Sequence, residues 1–62
     1  MLSKSNIIDF LKSNSFSGDS TDPDNQKRAL HEAVLFVQTR NGLTYNRFLF
    51  IEGIIDDYFN GF

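Results

Sequence analysis

The dipeptide Asn41-Gly42 constrains the fold of this chain most, because it separates two apolar runs, AVLFV and FLFIEGII. Asn-Gly between β-branched and aromatic residues is typical of the tight turn of a β-hairpin. The same dipeptide also suits the end of a helix, because glycine adopts the left-handed backbone conformation that often follows the last turn. The two interpretations predict different fold classes, a pair of strands or a pair of helices.

The residues around the dipeptide favour helices. Neither apolar run alternates apolar and polar residues, as a half-buried strand does. Gly42 fits the position after a helix, and Leu43 can pack back near Val37. Thr44 can cap the next helix, with Leu43 stapled to Phe48. We therefore predict two helices joined by a short turn, and a β-hairpin over the same residues remains the alternative.

The segment Asp22-Pro23-Asp24 predicts where the first helix of this pair begins. Aspartate at the N-cap, proline at the first helical position and an acid in the first turn all favour a helix start. The predicted helix covers residues 23–40, with Leu35 stranded on its polar side. Its apolar arc consists of Ala29, Leu30, Ala33, Val34, Phe36 and Val37.

Two further helices complete the predicted fold. A short helix over residues 5–13 is capped by Ser5, and a loop over residues 14–22 carries Phe16 as an apolar anchor. The last helix covers residues 44–60. The predicted core positions of these two helices are Ile7, Ile8, Phe10 and Leu11, then Phe48, Ile51, Ile54, Ile55, Tyr58 and Phe59.

The length of the chain limits it to one small domain. Sixty-two residues form one core, which covers only roughly 60% of the surface of the unfolded chain. We predict a single all-α domain over residues 1–62, a short N-terminal helix packed on an antiparallel helix pair. The chain has no cysteine, and its longest apolar run is far shorter than the ~20 residues of a membrane helix. We expect a cytoplasmic protein with no signal peptide and no membrane contact.

Catalytic motifs are missing from the sequence. The single histidine, His31, precedes Glu32 without the second histidine of a zinc protease motif. Asp56 and Asp57 are consecutive, so on a helix they point in different directions and do not pair. The acidic segment DSTDPDNQKR does not match an EF-hand calcium loop. The pattern requires glycine where Lys27 stands and a bidentate glutamate where Ala33 stands, beyond the end of the segment. We expect no enzyme activity, no metal and no cofactor.

One segment resembles a DNA-binding motif. GLTYNRFLFIEG resembles the turn and recognition helix of phage-repressor-like helix-turn-helix proteins, with matches at Gly42, Leu43, Thr44, Phe48 and Ile51. Gln38 departs from the pattern, which expects a small residue there. The resemblance implies that Tyr45, Asn46, Arg47 and Leu49 face the major groove.

Arg40 adds a second cation to this corner, so Arg40, Tyr45, Asn46 and Arg47 form a basic, hydrogen-bonding cluster. The net charge of −2 opposes binding to phosphates. A DNA-binding regulator that reads through residues 34–53 is therefore the alternative function.

The last helix carries a second apolar stripe away from the core. Arg47 in its first turn and Asp56-Asp57 near its end oppose the helix dipole, an arrangement that often occurs at interfaces. The stripe has helical spacing and consists of Asn46, Leu49, Phe50, Gly53 and Asp57.

The expected function is a non-catalytic protein-interaction module, an adaptor, inhibitor or regulator that acts through its C-terminal helix. A homodimer is one form of this function. Two copies paired antiparallel near Glu52-Gly53 would bring Arg47 of one copy beside Asp57 of the other.

Overall fold

The computed structural model describes residues 2–60, which form three α-helices and no β-strand. Helix α1 is Lys4–Ser13, α2 is Pro23–Asn41 and α3 is Tyr45–Asn60. The predicted all-α fold is confirmed, and the alternative β-hairpin around Asn41-Gly42 is wrong. Within residues 2–60, no helix combines the length and the apolarity that crossing a bilayer requires.

Helix α1 begins one residue earlier than predicted. The Ser3 hydroxyl oxygen accepts a hydrogen bond from the Asn6 amide at 3.2 Å, so Ser3 is the N-cap. The prediction that Ser5 caps this helix is wrong, because Ser5 already lies inside the first turn. Both serines satisfy the local preference for a hydroxyl at the N-cap, so that preference does not choose between them.

Helix α2 begins as the sequence predicts. Asp22 is the N-cap and its carboxylate accepts from the Asp24 amide at 3.0 Å, with Pro23 at the first helical position. The helix ends at Asn41, and Gly42 has φ 77° and ψ 148°. The positive φ suits glycine, but the ψ value is extended rather than left-handed helical.

Helix α3 begins after the predicted cap. The Thr44 hydroxyl oxygen accepts from the Arg47 amide at 3.2 Å, as an N-cap does. Leu43 remains 40% exposed, so the predicted packing of this side chain onto Val37 and Phe48 leaves much of it in solvent.

The core lies where the three helices meet. Phe48 was predicted to belong to it but is only half-buried, since it lies in the first turn of α3, close to the end of the helix. Ile8, Phe10, Leu30, Val34 and Phe36 are also partly buried and pack against the core. The buried residues are Ile7, Leu11, Phe16, Ala29, Ala33, Val37, Ile51, Ile54, Ile55, Tyr58 and Phe59.

The loop over residues 14–22 is fastened to the end of α3. Phe16 is buried as predicted, and its backbone amide donates to the Leu11 carbonyl at 3.0 Å. The Tyr58 hydroxyl donates to the Phe16 carbonyl. A Cβ atom on Gly18 would lie 2.6 Å from the Tyr58 carbonyl oxygen, so only glycine fits this approach.

Candidate interaction face on the third helix

The predicted stripe of α3 faces solvent along its whole length. Leu49 is 44% exposed and Phe50 is 41% exposed. A Cβ atom added to Gly53 would meet nothing within 4 Å. At about 100° per residue, these positions lie on one side of the helix. We call this surface the α3 face; its exposed residues are Asn46, Leu49, Phe50, Gly53 and Asp57.

Helix α3 is apolar on two sides. Ile51, Ile54 and Ile55 fill the core, while Leu49 and Phe50 point elsewhere and stay exposed. An amphipathic surface helix normally has one apolar stripe and a polar opposite side. Within residues 2–60, no element buries the second stripe of α3.

Arg47 lies in the first turn of α3, but its guanidinium forms hydrogen bonds with the end of α2. Its Nη1 atom donates to the Asn41 carbonyl at 2.5 Å and to the Gly42 carbonyl at 2.8 Å. Carbonyls at a helix C-terminus lack partners within the helix and carry partial negative charge. A cation that is unfavourable for the dipole of α3 is therefore favourable for the dipole of α2.

The acids near the end of α3 also have partners on neighbouring helices. Asp57 Oδ2 lies 3.5 Å from the Nζ atom of Lys4, the first residue of α1. Asp56 Oδ1 accepts from Gln26 Nε2, near the start of α2, at 3.4 Å. Negative charge is stabilised close to helix N-termini. The reversed charges of α3 thus match the adjacent helix ends and do not require a second copy of the chain.

The four residues of the alternative DNA-binding corner are only partly available to a ligand. The Arg40 guanidinium stacks on the Phe36 ring, with Cζ 4.4 Å from the ring centroid. Arg47 is bonded to backbone carbonyls, as described above. Tyr45 is 75% exposed, and Asn46 is exposed beside it. The two arginines are oriented by the protein's own groups, so Tyr45 and Asn46 are the members of the corner whose polar groups are open to a ligand.

An open groove between α1 and α2 was not predicted. Its volume is about 510 Å³, and it is lined by the Phe10 and Phe36 rings, which stack with centroids 4.4 Å apart. Asp9 and Arg40 both line it among neutral residues, so its charge favours no one class of ligand. The spacing of Phe36 and Arg40 in one helix was visible in the sequence, but the meeting with Phe10 depends on how α1 packs.

The described residues contain no cluster of possible metal ligands. Within residues 2–60, no three His, Cys, Asp or Glu side chains lie close enough together to hold a metal ion. His31 is exposed on α2. In the same part of the chain, no charged side chain is buried.

Comparison with known proteins identifies no relative of this chain. The chain matches no protein-family model, no curated protein and no solved structure. What it does is therefore inferred from its own side chains.

Proposed function

We propose that this protein is a small non-catalytic interaction module, an adaptor, inhibitor or regulator, that binds another protein through the α3 face. One observation supports the proposal most. Leu49 and Phe50 stay 44% and 41% exposed beside Gly53, where a Cβ atom would have no neighbour within 4 Å. Neighbouring apolar side chains next to an open stretch of backbone suit the close approach of another protein.

A partner bound to the α3 face would bury apolar side chains that the domain leaves exposed. Complete burial of a leucine or phenylalanine side chain contributes roughly 1.5–3 kcal/mol. Leu49 and Phe50 have each realised only part of that gain within the domain. A domain of this length is also marginally stable on its own, so a partner that binds only the folded state stabilises it by mass action.

A second copy of the chain is one candidate occupant of the α3 face. In the antiparallel homodimer expected from the sequence, Arg47 would contact Asp57 of the other copy. Because Arg47 already donates to the Asn41 and Gly42 carbonyls, the burial of Leu49 and Phe50 would have to supply most of the stability of that dimer.

The proposal places the protein in the cytoplasm. Disulfides do not persist in that reducing compartment, and a chain without cysteine does not need them. It requires no cofactor and no metal. The alternative proposal, a helix-turn-helix regulator of DNA, has the exposed pair Tyr45 and Asn46 in its favour. It also predicts steep loss of duplex binding as salt rises, because phosphate contacts release counterions.

Site-specific photo-crosslinking in cells tests the main proposal. A photoreactive amino acid is placed at Leu49 and, as a matched control, at Leu35, which is 42% exposed on α2. We expect a discrete protein adduct from position 49 and much weaker labelling from position 35. An adduct of twice the mass of the chain identifies a homodimer. Equal labelling at both positions, or adducts to nucleic acid alone, would contradict the proposal.

A further inference from the structure

The solvent side of α3 has two halves of different character. Its N-terminal half is apolar and aromatic, and its C-terminal half carries carboxylates. About 11 Å of helix, or two turns, separates the centres of the two halves at 1.5 Å per residue. The apolar half consists of Tyr45, Leu49 and Phe50. The acidic half consists of Asp56, Asp57 and the half-buried Glu52, which borders a groove against α2.

The acidic half has more carboxylates than neighbouring cations. Two lysines lie near its three carboxylates: Lys4 beside Asp57, and Lys27, which lines one groove with Glu52 and Asp56. Arg47 is the only cation in the sequence of α3, and its guanidinium donates to carbonyls at the end of α2. Gln26 gives Asp56 a neutral donor, which leaves the charge of the carboxylate in place. Lys4 lies 3.5 Å from Asp57, but their side chains are 47% and 57% exposed, so solvent screens the pair.

We infer that the occupant of the α3 face is a basic amphipathic helix of another protein, an inference that rests on the proposed function. Its apolar residues would cover Leu49 and Phe50, and its lysines or arginines would lie about two turns away, beside Asp56 and Asp57. The open space around Gly53 lets the two helix backbones approach closely between these contacts.

A second copy of this chain fits the face less well in either orientation. An antiparallel pair sets Asp56 of one copy against Leu49 of the other, which removes water from that charge without pairing it. Asp57 would meet Arg47 of the other copy, but that guanidinium already donates to the Asn41 and Gly42 carbonyls. A parallel pair sets the two acidic halves against each other, and like charges repel. A helix that brings its own cations avoids both costs.

Three synthetic peptides of about five helical turns test this inference. The first has a leucine stripe followed by lysines, the second has the same stripe followed by glutamates, and the third keeps the lysines but replaces the leucines with serine. Binding of each fluorescein-labelled peptide to the intact protein is measured by anisotropy at low and physiological salt. We expect the leucine–lysine peptide to bind at least about tenfold more tightly than either of the others.

Variants of the protein locate the contact. Asp56→Asn is expected to raise the Kd of the leucine–lysine peptide by about fivefold, and Asp57→Asn by less, because Lys4 already offsets part of its charge. Leu49→Ser should reduce binding of the same peptide by tenfold or more, roughly the effect of exposing one apolar side chain. The matched controls are Glu32→Gln and Leu35→Ser, which make similar changes on exposed positions of α2 and should leave binding unchanged.

Each other outcome overturns the inference in a different way. If the leucine–glutamate peptide binds as tightly and Leu49→Ser abolishes that binding, the face takes helices of any charge and the proposed function stands. If Glu32→Gln weakens binding as much as Asp56→Asn, the peptide responds only to net charge. If no peptide binds, the basic helix is wrong, and crosslinking at position 49 decides the proposed function separately.

Discussion

The loop over residues 14–22 and the α3 face each carry a phenylalanine, but only the phenylalanine of the loop is buried. Phe16 belongs to a segment of serines, glycine and aspartates, yet only 8% of it is exposed. Phe50 belongs to a helix with a large apolar content, yet 41% of it is exposed. The type of segment therefore does not decide which aromatic side chain is buried.

The difference lies in how the backbone around each ring is satisfied. At Phe16 the amide donates to the Leu11 carbonyl, and the carbonyl accepts from the Tyr58 hydroxyl. Loop backbone can be enclosed only when its polar groups have such partners. At Phe50 the helix satisfies the backbone by itself, so burial depends only on whether another element covers the ring. Within residues 2–60 none covers it, so the ring stays exposed on the α3 face.

Replacing each phenylalanine with alanine should give the largest difference between the two regions. Phe16→Ala is expected to cost about 3 kcal/mol, because it removes a buried ring and leaves a cavity. Phe50→Ala should cost under about 1 kcal/mol, because much of its ring already contacts water. Urea unfolding followed by far-ultraviolet circular dichroism measures both. Similar losses of stability would mean that Phe50 is part of the core and that the α3 face is not open.

Alanine at two glycines should change stability in opposite directions. Gly18→Ala is expected to destabilise by about 1–3 kcal/mol, because the new Cβ atom would clash with the Tyr58 backbone carbonyl. Gly53→Ala should stabilise by roughly 0.5–1 kcal/mol, since it lies in a helix with open space around it. Thermal unfolding of the two variants gives the comparison. A loss of stability in the Gly53 variant would show that something packs against the α3 face in the free protein.

The hydroxyl of Tyr58 should matter less than the ring of Phe16. Tyr58→Phe keeps the aromatic ring but leaves the Phe16 carbonyl without its donor, at a cost of about 1–2 kcal/mol. Tyr45→Phe is the control, because Tyr45 is 75% exposed and its hydroxyl contacts solvent. Hydrogen exchange should rise at the amides of residues 16–20 in the first variant alone. Unchanged exchange there would contradict the role of Tyr58 in fastening the loop.

Replacing Arg47 separates an effect on folding stability from an effect on association. Arg47→Met keeps the aliphatic stem and removes the bonds to the Asn41 and Gly42 carbonyls, which should cost about 1 kcal/mol of folding stability. If the protein self-associates through Leu49 and Phe50, its dimer constant should hardly change. Sedimentation equilibrium measures that constant. Loss of the dimer with unchanged unfolding would contradict this expectation and support a pairing of Arg47 with Asp57 of a second copy.

The helix boundaries could largely be predicted from the sequence, because a capping bond joins residues that lie close together in the chain. Asp22 before Pro23 and Thr44 before Tyr45 each supply an acceptor for an amide two or three residues later. The first helix is the exception, since Ser3 and Ser5 both suit an N-cap. The exposure of Leu49 and Phe50 followed from the same periodicity that assigned Ile51, Ile54 and Ile55 to the core.

By itself, the sequence favoured three helices and indicated the side of each that enters the core and the second stripe of α3, because all of these depend on spacing within about two turns. It left a β-hairpin around Asn41-Gly42 as the alternative, which the structure excluded. The tertiary structure alone decided the partners of the reversed charges. Arg47 meets the end of α2, and Asp56 meets Gln26, thirty residues away in the chain. Tyr58 holds a loop residue forty-two positions before it. Contacts between separate elements follow from how the helices pack, and no local spacing in the sequence records that arrangement.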